Sequence, residues 1–188
     1  MKKILFVTMI GMLLTACSPA KGEPPAHYLE RANAALIEAR GDANQLKDVL
    51  TIYDEGLERH PNDTDLLNSR AQLNASLGHY EAAKADLDAL KERELHKEGR
   101  LMRCMLQERL EGATAEAMAC YAEVERDYAS KISDHPDANH VLAARLAESS
   151  EAASLVEEWQ ASDDPMKNPM VEDMLEMGRG ELIRMLLP

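Results

Sequence analysis

No stretch of the chain alternates apolar and polar residues long enough to line one face of a sheet. Beyond residue 17 there are only five Val and four Ile, while Ala, Leu, Glu, Met and Arg dominate. Strands favour β-branched and aromatic side chains, and helices favour the set found here, so the chain is predicted to be all-α. Helix-breaking residues gather at Gly41-Asp42, at His60-Pro61-Asn62-Asp63, at Gly78, at Gly112, at His135-Pro136 and at Asp163-Asp164-Pro165. The segments between them run about 12 to 20 residues, which predicts a string of short antiparallel helices rather than one long coiled coil.

The chain also overlays itself at a step of 34 residues. With Gly78 on Gly112, Tyr80 meets Thr114, Ala83 meets Ala117, Leu87 meets Tyr121 and Leu90 meets Val124. One step back, Val49 falls on Ala83, Tyr53 on Leu87 and Gly56 on Leu90. A fixed period of this size marks stacked helical hairpins. The segment Leu77-Gly78-His79-Tyr80-Glu81-Ala82-Ala83, with Pro61 closing the preceding unit, resembles the tetratricopeptide repeat (TPR). The resemblance implies three repeats at about 30–63, 64–97 and 98–131, a repeat region at 27–131, and capping helices in 132–188, near 137–160 and 168–187. Gly78 and Gly112 would end first helices in the left-handed conformation. Ala83 and Ala117 would sit where helices approach most closely, and Tyr53, Leu87 and Tyr121 would fill the wedges between hairpins. The chain departs from the pattern in three places. Leu67-Asn68-Ser69-Arg70-Ala71 stands where a Trp-type residue and Leu-Gly are usual, Asn74 fills a later aromatic slot, and Asn44 takes the first turn's Gly slot.

Charge narrows the function classes. The 188 residues hold 21 Lys+Arg against 34 Asp+Glu, a net charge of −13, with 45% hydrophobic residues to build a core. Nucleic acid is not an expected partner, because its phosphates demand clustered Lys and Arg.

The N-terminus changes the picture further. Met1-Lys2-Lys3 precedes an apolar run from Ile4 to Leu14, a run too short to span a bilayer. The following Leu14-Thr15-Ala16-Cys17 resembles the lipobox of bacterial lipoproteins. That resemblance implies a signal peptide at 1–16 and a lipidated Cys17 as the mature N-terminus. Ser18, rather than Asp, after the Cys implies sorting to the outer membrane, with the domain facing the periplasm. Residues 1–16 carry two Lys and no acid, so the remainder has a net charge of −15 and would be repelled by anionic headgroups. Lipid must therefore supply the membrane contact. Residues 17–26 hold the lipidated Cys and its tether, of which the Pro-rich stretch Ser18 to Pro25 reaches at most roughly 25 Å at about 3.3 Å per residue.

Cys104 and Cys120 then remain. An even pair in an oxidising compartment suggests a disulfide, and in the repeat frame the two lie opposite one another across one hairpin. The alternative is two buried thiols packed as small apolar residues. Carried over slot by slot, the TPR groove would be lined by Arg31, Ala34 and Glu38, by Asp65, Asn68 and Gln72, and by Met102, Leu106 and Arg109. Met170, Met174 and Met177 share one helical face, as do Leu182, Met185 and Leu186, which predicts inner faces of capping helices. The tail Met185-Leu186-Leu187-Pro188 is the expected exposed apolar patch. Asp163-Asp164 reads as a turn.

Catalytic patterns are missing. The six His are scattered with no HExxH, there is no GxSxG elbow, and no Gly-rich loop could cradle a phosphate. No metal, cofactor or catalytic residue is expected. The sequence points to a periplasm-facing lipoprotein that binds a protein partner, as an adaptor or scaffold in an envelope assembly or secretion system. The alternative is an immunity lipoprotein that neutralises an antibacterial effector enzyme, its acidic surface steering a basic target.

Overall fold

In a computed structural model, which describes residues 22–90, 95–130 and 135–188, the chain forms ten helices and no strand among those residues. They are α1 (Pro25–Ala39), α2 (Ala43–Arg59), α3 (Thr64–Ser76), α4 (Tyr80–Asp88), α5 (Lys97–Glu111), α6 (Ala115–Ala129), α7 (Ala138–Leu146), α8 (Ala152–Ala161), α9 (Pro169–Glu176) and α10 (Arg179–Leu186). Residues 1–16 and Cys17, the expected signal peptide and lipidation site, lie outside the described residues. No described helix is long and apolar enough to cross a membrane.

Local chemistry starts and stops these helices. Asp42 accepts from the backbone N–H of Asn44 and Gln45, Asp63 from Leu66, Thr114 from Ala117, Asp137 from His140 and Asn168 from Val171. Each such cap satisfies donors that the first helical turn leaves free. At the other end, Gly78 (φ 78°) and Gly112 (φ 84°) end α3 and α5 at positive φ, Gly112 with ψ −178° in an extended, glycine-only conformation rather than the expected left-handed helical one. The first hairpin turns differently: Arg40 (φ 47°) and Gly41 (φ 85°) make its bend, three residues before the slot held by Asn44. Helix α2 begins correspondingly early at Ala43.

From α1 to α8 each helix packs on the next, and α1 also touches α3, giving an all-α array of consecutive hairpins. Ala83 and Ala117 have no exposed surface, and Tyr53, Leu87 and Tyr121 are buried in the core. The small side chains permit close helix approach, and the large ones fill the wedges that result. Gly56 plays a related part. A Cβ there would come within 3.0 Å of Leu66 and of Tyr28, so α2 can cross α1 and α3 only without a side chain at that position.

The C-terminal quarter departs from the expected pair of helices. The segment near 137–160 is split into α7 and α8, with Glu148 left-handed (φ 53°) at the break. The segment near 168–187 is split at Met177-Gly178 into α9 and α10. These last two helices fold back, α9 onto α7 and α10 onto α5. The inner residues of α9 and α10 are Leu175, Leu182 and Ile183 rather than a methionine stripe: Met170 is 76% exposed, while Met174 and Met177 only lean on the core. The tail is not an exposed patch. Leu187 is buried and Leu186 half-buried, which leaves only Met185 and Pro188 exposed there.

Asp164 opens the expected turn, its carbonyl accepting from the Lys167 N–H at 3.0 Å, and its side chain does more than that. It is buried and accepts from Trp159 Nε1–H at 2.8 Å, from the Ala138 N–H at 3.1 Å and from the Met166 N–H at 2.7 Å. It ties the end of α8 to the start of α7. Burial pushes its carboxyl up, but these bonds to the charged form outweigh that and hold it below the ordinary carboxylate range.

Candidate partner-binding groove

Helices α1 and α3 and the first turn of α5 enclose an open cavity of about 430 Å³. From α1 come Leu29 and Asn33; from α3 Asp65, Asn68, Ser69 and Gln72; from the start of α5 His96, Glu98 and Gly99. A second hollow of about 260 Å³ adds Leu36, Tyr53, Leu73 and Ser76 and shares Asn33, Ser69 and Gln72 with the first. The two therefore form one groove.

Helical register explains which side chains meet there. Residues 65, 68, 69, 72 and 76 share one face of α3, and 29, 33 and 36 share one face of α1. Leu29, Leu36 and the buried Leu73 give the groove an apolar floor. Its walls are amides and hydroxyls, with the carboxylates of Asp65 and Glu98 and the imidazole of His96 lining the first hollow. Gly99 lets α5 come this near: a Cβ on it would sit 3.0 Å from Asn68 Oδ1. Asn68 is held in turn by its Nδ2–H, which donates to the Thr64 carbonyl at 2.8 Å. Burial pushes the Tyr53 hydroxyl up from its usual pKa, against a bond with Ser69, so the tyrosine stays neutral beneath the groove.

Of the expected groove positions, the structure brings Asp65, Asn68 and Gln72 together and leaves the others elsewhere. Arg31 turns to α2, where it pairs with Glu55 at 3.0 Å, because its register points it away from α3. Ala34 and Glu38 are exposed and do not line the cavity. Leu106 has no exposed surface, and Met102 is half-buried against the core. Arg109 donates from Nε to the Leu187 carbonyl at 3.0 Å and lies over the Tyr80 ring at 5.0 Å. The third hairpin's share of the groove is thus taken by the chain's own C-terminal helix.

That helix is fastened at its other end as well. Arg179 pairs with the buried carboxylate of Glu108 and with Glu148, each at 3.3 Å, and Arg145 donates to the Met177 carbonyl at 2.6 Å. Cys104 of α5 and Cys120 of α6 form a disulfide with their Cα atoms 5.6 Å apart, which clamps the hairpin on which α10 rests.

Sequence reasoning missed Leu29, Asn33, Ser69, Glu98 and Gly99 as groove residues. The spacing 29, 33, 36 was a usable signal, since it carries the apolar-polar face opposite α3. Among the described residues no three His, Cys, Asp or Glu side chains converge in a way that could hold a metal ion. The chain matches no protein-family model, no curated protein and no solved structure.

Proposed function

We propose that this chain is a periplasm-facing lipoprotein that holds a segment of a protein partner in the α1–α3 groove, as an adaptor in an envelope assembly or secretion system. The observation that carries the reading is the groove itself: an apolar floor beneath amide and hydroxyl walls, open to solvent over two adjoining hollows. Such a surface buries side chains while offering both donors and acceptors to a bound backbone. The lipobox-like Leu14-Thr15-Ala16-Cys17 supports anchoring, and the 34-residue period supports a TPR-like frame. Anchoring would raise the local concentration of the groove at the membrane, and a preformed groove lowers the ordering cost of binding.

Affinity purification of the tagged protein from its native envelope, followed by mass spectrometry, tests this reading. Recovery of resident envelope components in fixed ratio supports the adaptor. The net charge of −15 beyond residue 16 favours one competing reading, an immunity protein for a basic effector. Recovery of a single secreted enzyme, inactive in the complex and retained in high salt, would establish that instead.

A further inference from the structure

The groove's lining also specifies what kind of segment it takes. We infer that its occupant is an extended stretch of a partner protein carrying Lys or Arg, its backbone bonded by Asn33 and Gln72 and its cation placed between Asp65 and Glu98. The inference rests on the adaptor reading above and adds the chemistry of the partner.

Two observations exclude a neutral or acidic helix as the better fit. First, no other described residue bonds the side-chain amides of Asn33 and Gln72, which stand on opposite walls. An amide side chain both donates and accepts, as an extended backbone does, whereas a helix keeps its own N–H and C=O groups engaged internally. From Asp65 to Ser76 the α3 wall is about 16 Å long at 1.5 Å per residue, which matches about five extended residues.

Second, no Lys or Arg lines the first hollow, whose titratable side chains are the acids Asp65 and Glu98 and the imidazole of His96. Asp65 and Glu98 both line the first hollow, and the only described group bonded to either is the Tyr128 hydroxyl, which donates to Glu98 at 3.4 Å. Neighbouring cations are engaged elsewhere: Arg31 with Glu55, Lys97 over the Tyr128 ring at 3.8 Å, and Arg100 with Asp127. Two carboxylates facing a shared hollow attract a cation and repel an acidic segment.

The test is site-specific photo-crosslinking in the full-length, membrane-anchored protein, with the crosslinker at Ser76 in the groove or at exposed Glu116 on α6. The segment linked from position 76 should contain Lys or Arg within about five residues of the linked atom. D65K/E98K should lower its yield about tenfold or more, the loss of a charge-assisted contact, while E116K leaves it unchanged. Changing the partner's basic residue to Glu should restore the yield in D65K/E98K. Asp65 and Glu98 are both exposed, and unchanged thermal melting of D65K/E98K confirms an intact fold.

A linked segment lacking basic residues, or a yield indifferent to D65K/E98K, overturns the inference and leaves the adaptor reading standing. A partner that copurifies but links only from position 116 overturns groove occupancy, and this inference with it. No copurifying partner at all overturns both.

Discussion

Arg70 of α3 joins three helices, and its two carboxylate partners should differ sharply in what they contribute. It meets Asp86 of α4 through two parallel bonds, Nε to Oδ2 at 2.9 Å and an Nη to Oδ1 at 2.5 Å, and it meets Asp54 of α2 through one bond at 2.5 Å. Bonding to Asp86 is the largest influence raising the guanidinium's already high pKa, so the charge persists at any ordinary pH. The side chain of Asp86 is 8% exposed, that of Asp54 57%, and that of Arg70 25%. Removing one partner of a fully buried pair costs about 3–5 kcal/mol, because the other charge is left stranded. Arg70 retains some water and its second carboxylate, which scales Asp86→Ala to about 2–3 kcal/mol. The mostly solvated pair with Asp54 is worth under about 1 kcal/mol and is screened by salt. Urea unfolding with the disulfide intact, followed by far-UV circular dichroism, measures both variants. With a urea slope of about 2 kcal/mol per molar, the midpoint should fall by about 1 M or more for Asp86→Ala and by under about 0.5 M for Asp54→Ala. Equal shifts would refute the claim that burial, not charge pairing as such, decides the contribution.

Three further outcomes follow from other contacts. Asp164 has a folded pKa below its unfolded value, so its contribution is present above about pH 4 and is lost as pH falls through the depressed folded value. Fluorescence of Trp159, the single Trp, should therefore report loosening of the α7–α8 junction in acid, and Asp164→Asn should show the loosened signal already at neutral pH. Replacing Cys104 and Cys120 by Ser opens a loop of 16 residues and should cost about 3 kcal/mol in chemical denaturation; a loss under about 1 kcal/mol would show that the bridge constrains little. Gly56→Ala places a methyl 3.0 Å from both Leu66 and Tyr28 in the α1–α2–α3 crossing. It should destabilise by about 1–3 kcal/mol although Ala is the better helix former, and a rise in stability would contradict the close crossing.

What could be read from the sequence was what is local. Gly78, Gly112, Ala83 and Ala117 declare their roles through residue type and a 34-residue step, and the structure gives the two glycines positive-φ turns and the two alanines unexposed positions. The helix class itself follows from the scarcity of β-branched residues. Contacts made at long range left no such mark. Arg109 and Leu187 are 78 residues apart, and nothing in either neighbourhood announces that α10 returns to cover α5. The slot-by-slot groove therefore failed at Leu106 and Arg109, where the frame assumes an open inner face. It succeeded at Asp65, Asn68 and Gln72, where α1 leaves α3 uncovered. The turn at Asp164 was legible, but the burial of its carboxylate was not, because an acid pair beside a proline looks the same in sequence whether solvent or an indole N–H receives it.

The central claim is that a partner occupies the α1–α3 groove, and blocking that groove tests it most directly. Asn33→Trp adds bulk at an exposed position on the α1 wall without touching the core. Capture from the native envelope should then lose the partner that wild type recovers, with the variant's melting temperature unchanged. Equal recovery by wild type and Asn33→Trp would contradict the account.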